Sequence, residues 1–142
     1  MGKIYFTVEE AEKLLPQVDK KIEKLMDLQE EISIMDNFRV EYKDDSIENN
    51  ILILELNKNY HSKLSEFYKE LEELARMGAI VKDLNNGIVD FYSKYEDKDI
   101  LLCWKFEEKK IAFWHEANKG YDSRKPVTIL KAEIAEKLKR LR

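Results

Sequence analysis

Hydrophobic positions in the first half of the chain recur every three or four residues, the period of an amphipathic helix. One series is Ala11, Leu14, Leu15, Val18, Ile22, Leu25, Leu28, Ile32 and Met35, and the second is Ile47, Ile51, Leu54, Leu56, Tyr60, Leu64, Phe67, Leu71 and Leu74. They predict two helices of about 30 residues, each about 45 Å long. Helices of this length must bury their apolar stripes, so we expect an antiparallel helical hairpin over residues 7–77.

Polar and turn residues mark the ends of both predicted helices. Thr7 and Glu10 form the pattern of a capping box, Ser46 or Asp45 can cap the second helix, and Gly78 follows its last apolar residue. Pro16 lies inside the first series, where it removes one backbone N–H, so we expect a kink or a break near residues 12–16.

After Gly78 the hydrophobic period changes to two, which is typical of strands. The alternating segments are AIVKDL, GIVDFY, DILLCWKF and KIAFWHE, separated by turns at residues 85–87, 93–98 and 107–110. Short turns between successive strands predict a small antiparallel meander of three to four strands over residues 79–116. Helical spacing returns in residues 126–142. The predicted fold is therefore a single α+β domain over residues 1–142.

Composition and charge narrow the classes of function. No apolar run is long enough for a membrane span, no signal-peptide core precedes the first helix, and the single cysteine excludes an internal disulfide, so we expect a cytoplasmic protein. The net charge of −4 argues against broad nucleic-acid binding. However, residues 123–142 carry 7 basic and 2 acidic side chains, which leaves the basic C-terminal helix as a local candidate for such contact.

The turn at residues 107–110 sets which side chains share a face of the sheet. A turn of even length places Leu102, Trp104 and Phe106 on one face with His115. Cys103 then lies on the opposite face, so we expect no Cys–His nucleophilic pair, although a loop of odd length would reverse this conclusion. Cys103 is interpreted as a small buried apolar residue.

Asp90 and His115 are the candidate catalytic residues, because each places a titratable group in an otherwise apolar strand. Each also has a structural interpretation: Asp90 as an edge residue or the ion-pair partner of Arg124, and His115 as an imidazole bonded to the next loop. The ligand-binding candidates are Trp104, Trp114, Glu116, Tyr121 and Arg124. We expect no metal and no cofactor, since His61 and His115 lie far apart in sequence and no nucleotide-binding or metal-binding motif is present.

Three stretches of the chain carry a resemblance to a known family. They are YFTVEEAEKLLPQV, GAIVKDLNNGIVDFY and LLCWKFEEKKIAFWHEANKGYDSRKPV. Together they resemble the domain of unknown function 2203 family of bacteria and archaea over roughly residues 4–127. The resemblance implies no activity, but it implies that Asp90, Trp104, His115, Gly120 and Arg124 belong to one shared constellation.

Three hypotheses for function follow. The preferred one is a non-enzymatic interaction protein that forms a homodimer through its long helices, whose stripes a small sheet covers only in part. The alternative is an enzyme, or a protein that binds a small ligand or a metal, with a polar site at the rim of the sheet, where Asp90 and His115 form an acid/base pair and Arg124 holds an anion. The second alternative is nucleic-acid contact through the C-terminal helix.

Overall fold

The computed structural model describes residues 2–37 and 45–130, and its first two elements are the predicted long helices. Helix α1 spans Val8–Asn37 and helix α2 spans Ile47–Met77. The predicted capping box of α1 is present: the backbone N–H of Glu10 donates to the Thr7 hydroxyl at 3.1 Å, and that of Thr7 donates to the Glu10 carboxylate at 3.2 Å. The Ser46 hydroxyl caps α2 by accepting from the N–H of Asn49.

Ion pairs show that α1 and α2 run antiparallel along each other. Lys24 lies 3.0 Å from Glu70, and Lys63 lies 2.9 Å from Glu31. Later residues of α1 therefore meet earlier residues of α2, as the predicted hairpin requires. Helix α1 continues through Pro16, so the expected break does not occur.

The apolar stripe of α2 divides into two faces. Tyr60 lies towards α1, because its hydroxyl donates to Asp36 at 2.5 Å. Ile47, Ile51 and Leu54 are spaced four and three residues apart on another face, and they are 73%, 48% and 67% exposed. The apolar positions of the stripe up to Leu54 lie on the exposed face, and after the two-residue step to Leu56 they lie on the face towards α1.

Five antiparallel strands follow in a simple meander, with neighbours in chain order. They are β1 (Ala79–Asp83), β2 (Ile88–Tyr95), β3 (Lys98–Lys105), β4 (Phe113–Glu116) and β5 (Lys125–Pro126). The second turn is tighter than the predicted span of residues 93–98, because β2 extends to Tyr95. Glu96 and Asp97 both adopt positive φ, at 50° and 62°, which gives a two-residue turn with the twist that adjacent strands favour.

One face of the sheet packs against the helices and forms the core with them. We call this the helix face. Its buried strand residues are Ala79, Val89, Phe91, Ile100, Leu102, Trp104 and Trp114, and they cluster with Ala11, Leu15, Val18, Ile22, Leu25 and Leu74 of the helices. The strand alternation thus sends the other side chains of β2, β3 and β4 to the opposite side, which we call the polar face.

The junction between α2 and β1 is closed by Gly78. Its φ of 89° places it in the left-handed conformation that ends a helix, as predicted. A Cβ atom at this position would lie 2.7 Å from the Phe6 ring, so the N-terminal segment packs directly on the glycine. Phe6 also stacks edge-on against Phe91 of the helix face, with ring centroids 5.6 Å apart.

After β5, residues 127–130 are helical and contribute Val127 and Leu130 to the core. The remainder of the predicted C-terminal helix, including the basic residues from Lys131 onward, lies outside the described residues. Among the residues described, no helix has the length and apolar character needed to cross a membrane.

Candidate functional site

The polar face brings Asp90 and His115 together across the middle of the sheet. Asp90 on β2 is opposite Cys103 on β3, and His115 on β4 is opposite Leu101 on β3. The two polar side chains therefore approach each other over β3 from the strands on either side. Nε2 of His115 lies 3.4 Å from Oδ2 of Asp90, and both side chains are almost completely buried.

The observed pairing of β3 with β4 differs from the predicted register. Cys103 is opposite Phe113, so an odd number of residues, 104–112, lies between this last pair of the two strands. The connection is long because Trp104 is anchored in the core, where its Nε1–H donates to the carbonyl of Glu108 at 2.8 Å, and because Ile111 is buried as well. The prediction that the sheet separates Cys103 from His115 is therefore wrong, since both lie on the polar face.

Hydrogen bonding fixes the tautomer of His115. Its Nδ1 lies 2.9 Å from the carbonyl oxygen of Glu116, which can only accept, so Nδ1 carries a hydrogen. The contact between Nε2 and Oδ2 of Asp90 then requires one further proton, held by either partner. Burial raises the pKa of Asp90, while the positive charges of His115 and Lys82 act in the opposite direction. The pair is therefore suited to share one proton.

The second carboxylate oxygen of Asp90 lacks a strong hydrogen-bond partner. Oδ1 is buried and has no well-aligned hydrogen-bond donor in the described chain, and the nearby Cys103 thiol supplies only a weak hydrogen bond to the carboxylate. A buried acceptor without a donor costs about 1–3 kcal/mol, and Nε1 of Trp114 in the core is likewise a buried donor without an acceptor among the described residues. Oδ1 marks the place where a bound group could donate.

Cys103 is not equipped to act as a nucleophile. Burial, followed by the negative charge of Asp90, raises the pKa of its thiol to about 12. The thiolate is the reactive form, so Cys103 remains a protonated thiol near neutral pH. This agrees with its interpretation as a small buried residue.

A cavity of about 570 Å³ opens over Asp90 and His115. This volume lies within the range of small-molecule sites. Its lining consists of Lys82, Asp83, Asn86, Ile88, Asp90, Leu101, Lys105, His115, Ala117, Lys119, Gly120 and Tyr121. The three lysines were not among the sequence candidates. The alternation of side chains along a strand could have identified Lys105. Ile88 lies two residues before Asp90 and so shares its face, and Lys105 is opposite Ile88.

The remaining candidates occupy other positions. Trp104 and Trp114 are buried on the helix face, away from the cavity. Glu116 lies 3.6 Å from Lys119 at the end of β4. Tyr121 lines the cavity.

Arg124 stacks on the ring of Tyr121, with its guanidinium carbon 3.5 Å from the centroid. Its Nε–H donates to the Tyr121 carbonyl, and within the described residues it forms no ion pair with Asp90. No group of three or more His, Cys, Asp or Glu residues in the described ranges is arranged to hold a metal ion.

Comparison with known proteins agrees with the resemblance noted in the sequence. The family model described as an uncharacterised conserved protein, DUF2203, matches residues 4–127. The chain belongs to the DUF2203 family. No curated protein and no solved structure matches it. The match to DUF2203 covers the hairpin, all five strands and every residue that lines the cavity.

Proposed function

We propose that this DUF2203 protein binds a small polar molecule in the cavity of the polar face, with Asp90 and His115 at its floor. The observation that supports this most directly is that Asp90, whose buried Oδ1 lacks a well-aligned hydrogen-bond donor in the described chain, lines a cavity of ligand size. A bound donor would satisfy that oxygen, and the shared proton of the Asp90–His115 pair would lie next to the ligand. This proposal develops the hypothesis of an enzyme or small-ligand protein with a polar site on the sheet.

The two histidines offer a direct test. His115 lines the cavity, whereas His61 is exposed on α2 and serves as an internal control. A panel of neutral, cationic and anionic polar compounds is screened by NMR of the imidazole resonances. We expect at least one compound to shift the resonances of His115 and leave those of His61 in place. If no compound of any charge class shifts His115 selectively, the proposal is wrong.

A pair of matched substitutions locates the binding. Ile88→Trp places a large ring in the cavity lining, while Ile129→Trp makes the same change at an exposed position outside it. Binding of the selected compound should be lost in I88W and retained in I129W. Amide spectra of both variants check that the fold persists. Equal binding by both variants would contradict the proposed location.

A second function, homodimerisation through the long helices, is favoured by one observation. The exposed face of α2 formed by Ile47, Ile51 and Leu54 is an apolar stripe that the monomer leaves in solvent. A second copy of the chain offers the same stripe, so a two-fold interface would bury both. We infer that two hairpins pair along this face.

Light scattering after size exclusion tests the dimer. Wild type should elute as a dimer, Ile51→Glu as a monomer, and the control Asn59→Glu, on another face of α2, as a dimer. A monomeric wild type at high micromolar concentration would refute this second function and leave the ligand site unaffected.

A further inference from the structure

The cavity has a positive rim. Lys82, Lys105 and Lys119 line it together with the acidic Asp83. Asp83 is already engaged: the side-chain amide of Asn86 donates to it at 2.7 Å and the backbone N–H of Asn86 at 3.1 Å. Lys119 lies 3.6 Å from Glu116, a weak exposed pair. Lys82 and Lys105 are exposed and form no ion pair among the described residues, so their charges are available to the cavity that they line.

At the floor of the cavity, Oδ1 of Asp90 calls for a hydrogen-bond donor, whereas the lysines of the rim favour a negative charge. If the shared proton is on His115, Oδ1 belongs to a carboxylate. If the proton is on Oδ2, then Oδ1 is the carbonyl oxygen of a carboxylic acid. In both states Oδ1 accepts a hydrogen bond and cannot donate one. A ligand group that contacts Oδ1 must therefore be a hydrogen-bond donor, wherever the proton resides.

We propose that the cavity selects a small organic anion that also carries a hydroxyl or amino group. The hydroxyl or amino group donates to Oδ1 of Asp90, and the carboxylate or phosphate group lies against Lys82 and Lys105 at the rim. This inference rests on the proposed ligand site and names its ligand class. Ile88 and Leu101 add apolar surface to the same lining.

Matched probes separate the two requirements. The first set consists of lactate, propionate, which lacks the hydroxyl, and isopropanol, which lacks the anion. The second set consists of glycerol 3-phosphate, propyl phosphate and glycerol. Each is titrated into the full chain while the His115 and His61 resonances are followed. We expect the hydroxy anion of at least one set to bind about tenfold more tightly than both of its single-function analogues.

Two variants assign the contacts. Lys105→Gln should weaken binding of the hydroxy anion, whereas Lys110→Gln, outside the cavity, should leave it unchanged. Asp90→Ala, which removes the Oδ1 acceptor, should remove most of the advantage that the hydroxyl confers, while the preference for an anion persists. Amide spectra verify that each variant is folded.

The outcomes distinguish this inference from the function on which it rests. The inference is overturned if propionate or propyl phosphate binds as tightly as its hydroxylated analogue, or if the neutral alcohols bind as tightly as the anions. It is also overturned if only neutral or cationic compounds of the wider panel shift His115, although the cavity would then still be a ligand site. If no compound shifts His115, the ligand site and the inference fail together.

Discussion

The two faces of the sheet are built from alternate residues of the same strands, yet they differ in what they bury. The helix face contains Val89, Phe91, Leu102 and Trp104, all fully enclosed. The polar face buries its central residues almost as completely, but these include Asp90, Cys103 and His115. Burial alone therefore does not distinguish the two faces. The polarity of the buried side chains does, because buried polar groups cost stability that apolar ones provide.

The largest expected effect lies on the helix face. Phe91→Ala should lower the free energy of unfolding by about 3–5 kcal/mol, because it removes a fully buried ring that contacts Phe6. Chemical denaturation followed by circular dichroism measures the loss. Tyr121→Ala, at an exposed residue of the polar side, is the control and should change stability little. A loss below about 1 kcal/mol in F91A would show that the helix face is not the main source of stability.

A single substitution on the polar face should cost less. His115→Leu leaves the buried Asp90 without its partner and should destabilise the protein by about 1–3 kcal/mol at neutral pH. Replacing both residues with Leu should restore stability close to that of wild type, because no buried polar group remains unpaired. Denaturation of both single variants and the double variant gives the coupling energy. Additive losses would mean that the two residues do not act as a pair.

The pH dependence of that effect has a definite sign. Since the pKa of Asp90 is raised in the folded state, its protonated form is favoured by folding, and this contribution is greatest at low pH. It is lost as pH rises through the folded pKa. The cost of His115→Leu should therefore be smaller at acidic pH than at neutral pH. A cost that grows on acidification would contradict the assignment.

Cys103 provides a smaller test of the polar face. Cys103→Ala should cost about 1 kcal/mol, as expected for the loss of one buried atom of this size. In wild type, the thiol should react with a thiol reagent no faster than the protein opens, because it is buried and its pKa is about 12. Labelling rates in native buffer and in denaturant measure this difference. Rapid native labelling would show that the thiol is accessible and activated.

The smallest effect is expected at the solvent end of the same face. Asp99 lies 2.8 Å from Lys94 and 2.9 Å from Lys3, which hold its pKa below the usual value. Its stabilising contribution is present above the unfolded pKa and is lost as pH falls, opposite in sign to that of Asp90. Asp99→Asn should lower the melting temperature slightly at neutral pH and not at strongly acidic pH. Thermal scans at both pH values, with Asp122→Asn as the control, test this.

Local chemistry made the helices predictable from sequence. The Thr7 and Ser46 caps and the Gly78 stop depend on residues within one turn, and all three were confirmed. The division of the α2 stripe was less evident, because a two-residue step between Leu54 and Leu56 changes the face without interrupting the helix. Sequence reasoning treated the two faces as one.

The candidate site was predictable in its residues and not in its geometry. Asp90 and His115 stand out because each interrupts an apolar strand. Their contact depends on the number of residues between Cys103 and Phe113, since a one-residue change sends His115 to the other face. That number is set by the packing of Trp104 and Ile111, a tertiary effect that periodicity does not record. The face of Lys105 depends instead on the pairing of β3 with β2, where Lys105 is opposite Ile88.

At Gly78, where the side chain is a single hydrogen atom, three parts of the chain meet: the end of α2, Phe6 of the N-terminal segment, and Phe91 of β2, on which Phe6 packs. A methyl group at position 78 would strain a left-handed residue and also displace the Phe6 ring, which in turn supports Phe91. One added carbon there would therefore disturb the end of α2 and the ring that packs on the core residue Phe91 in a single step. The bare backbone at this junction is thus what lets the N-terminal segment pack directly on the start of the sheet.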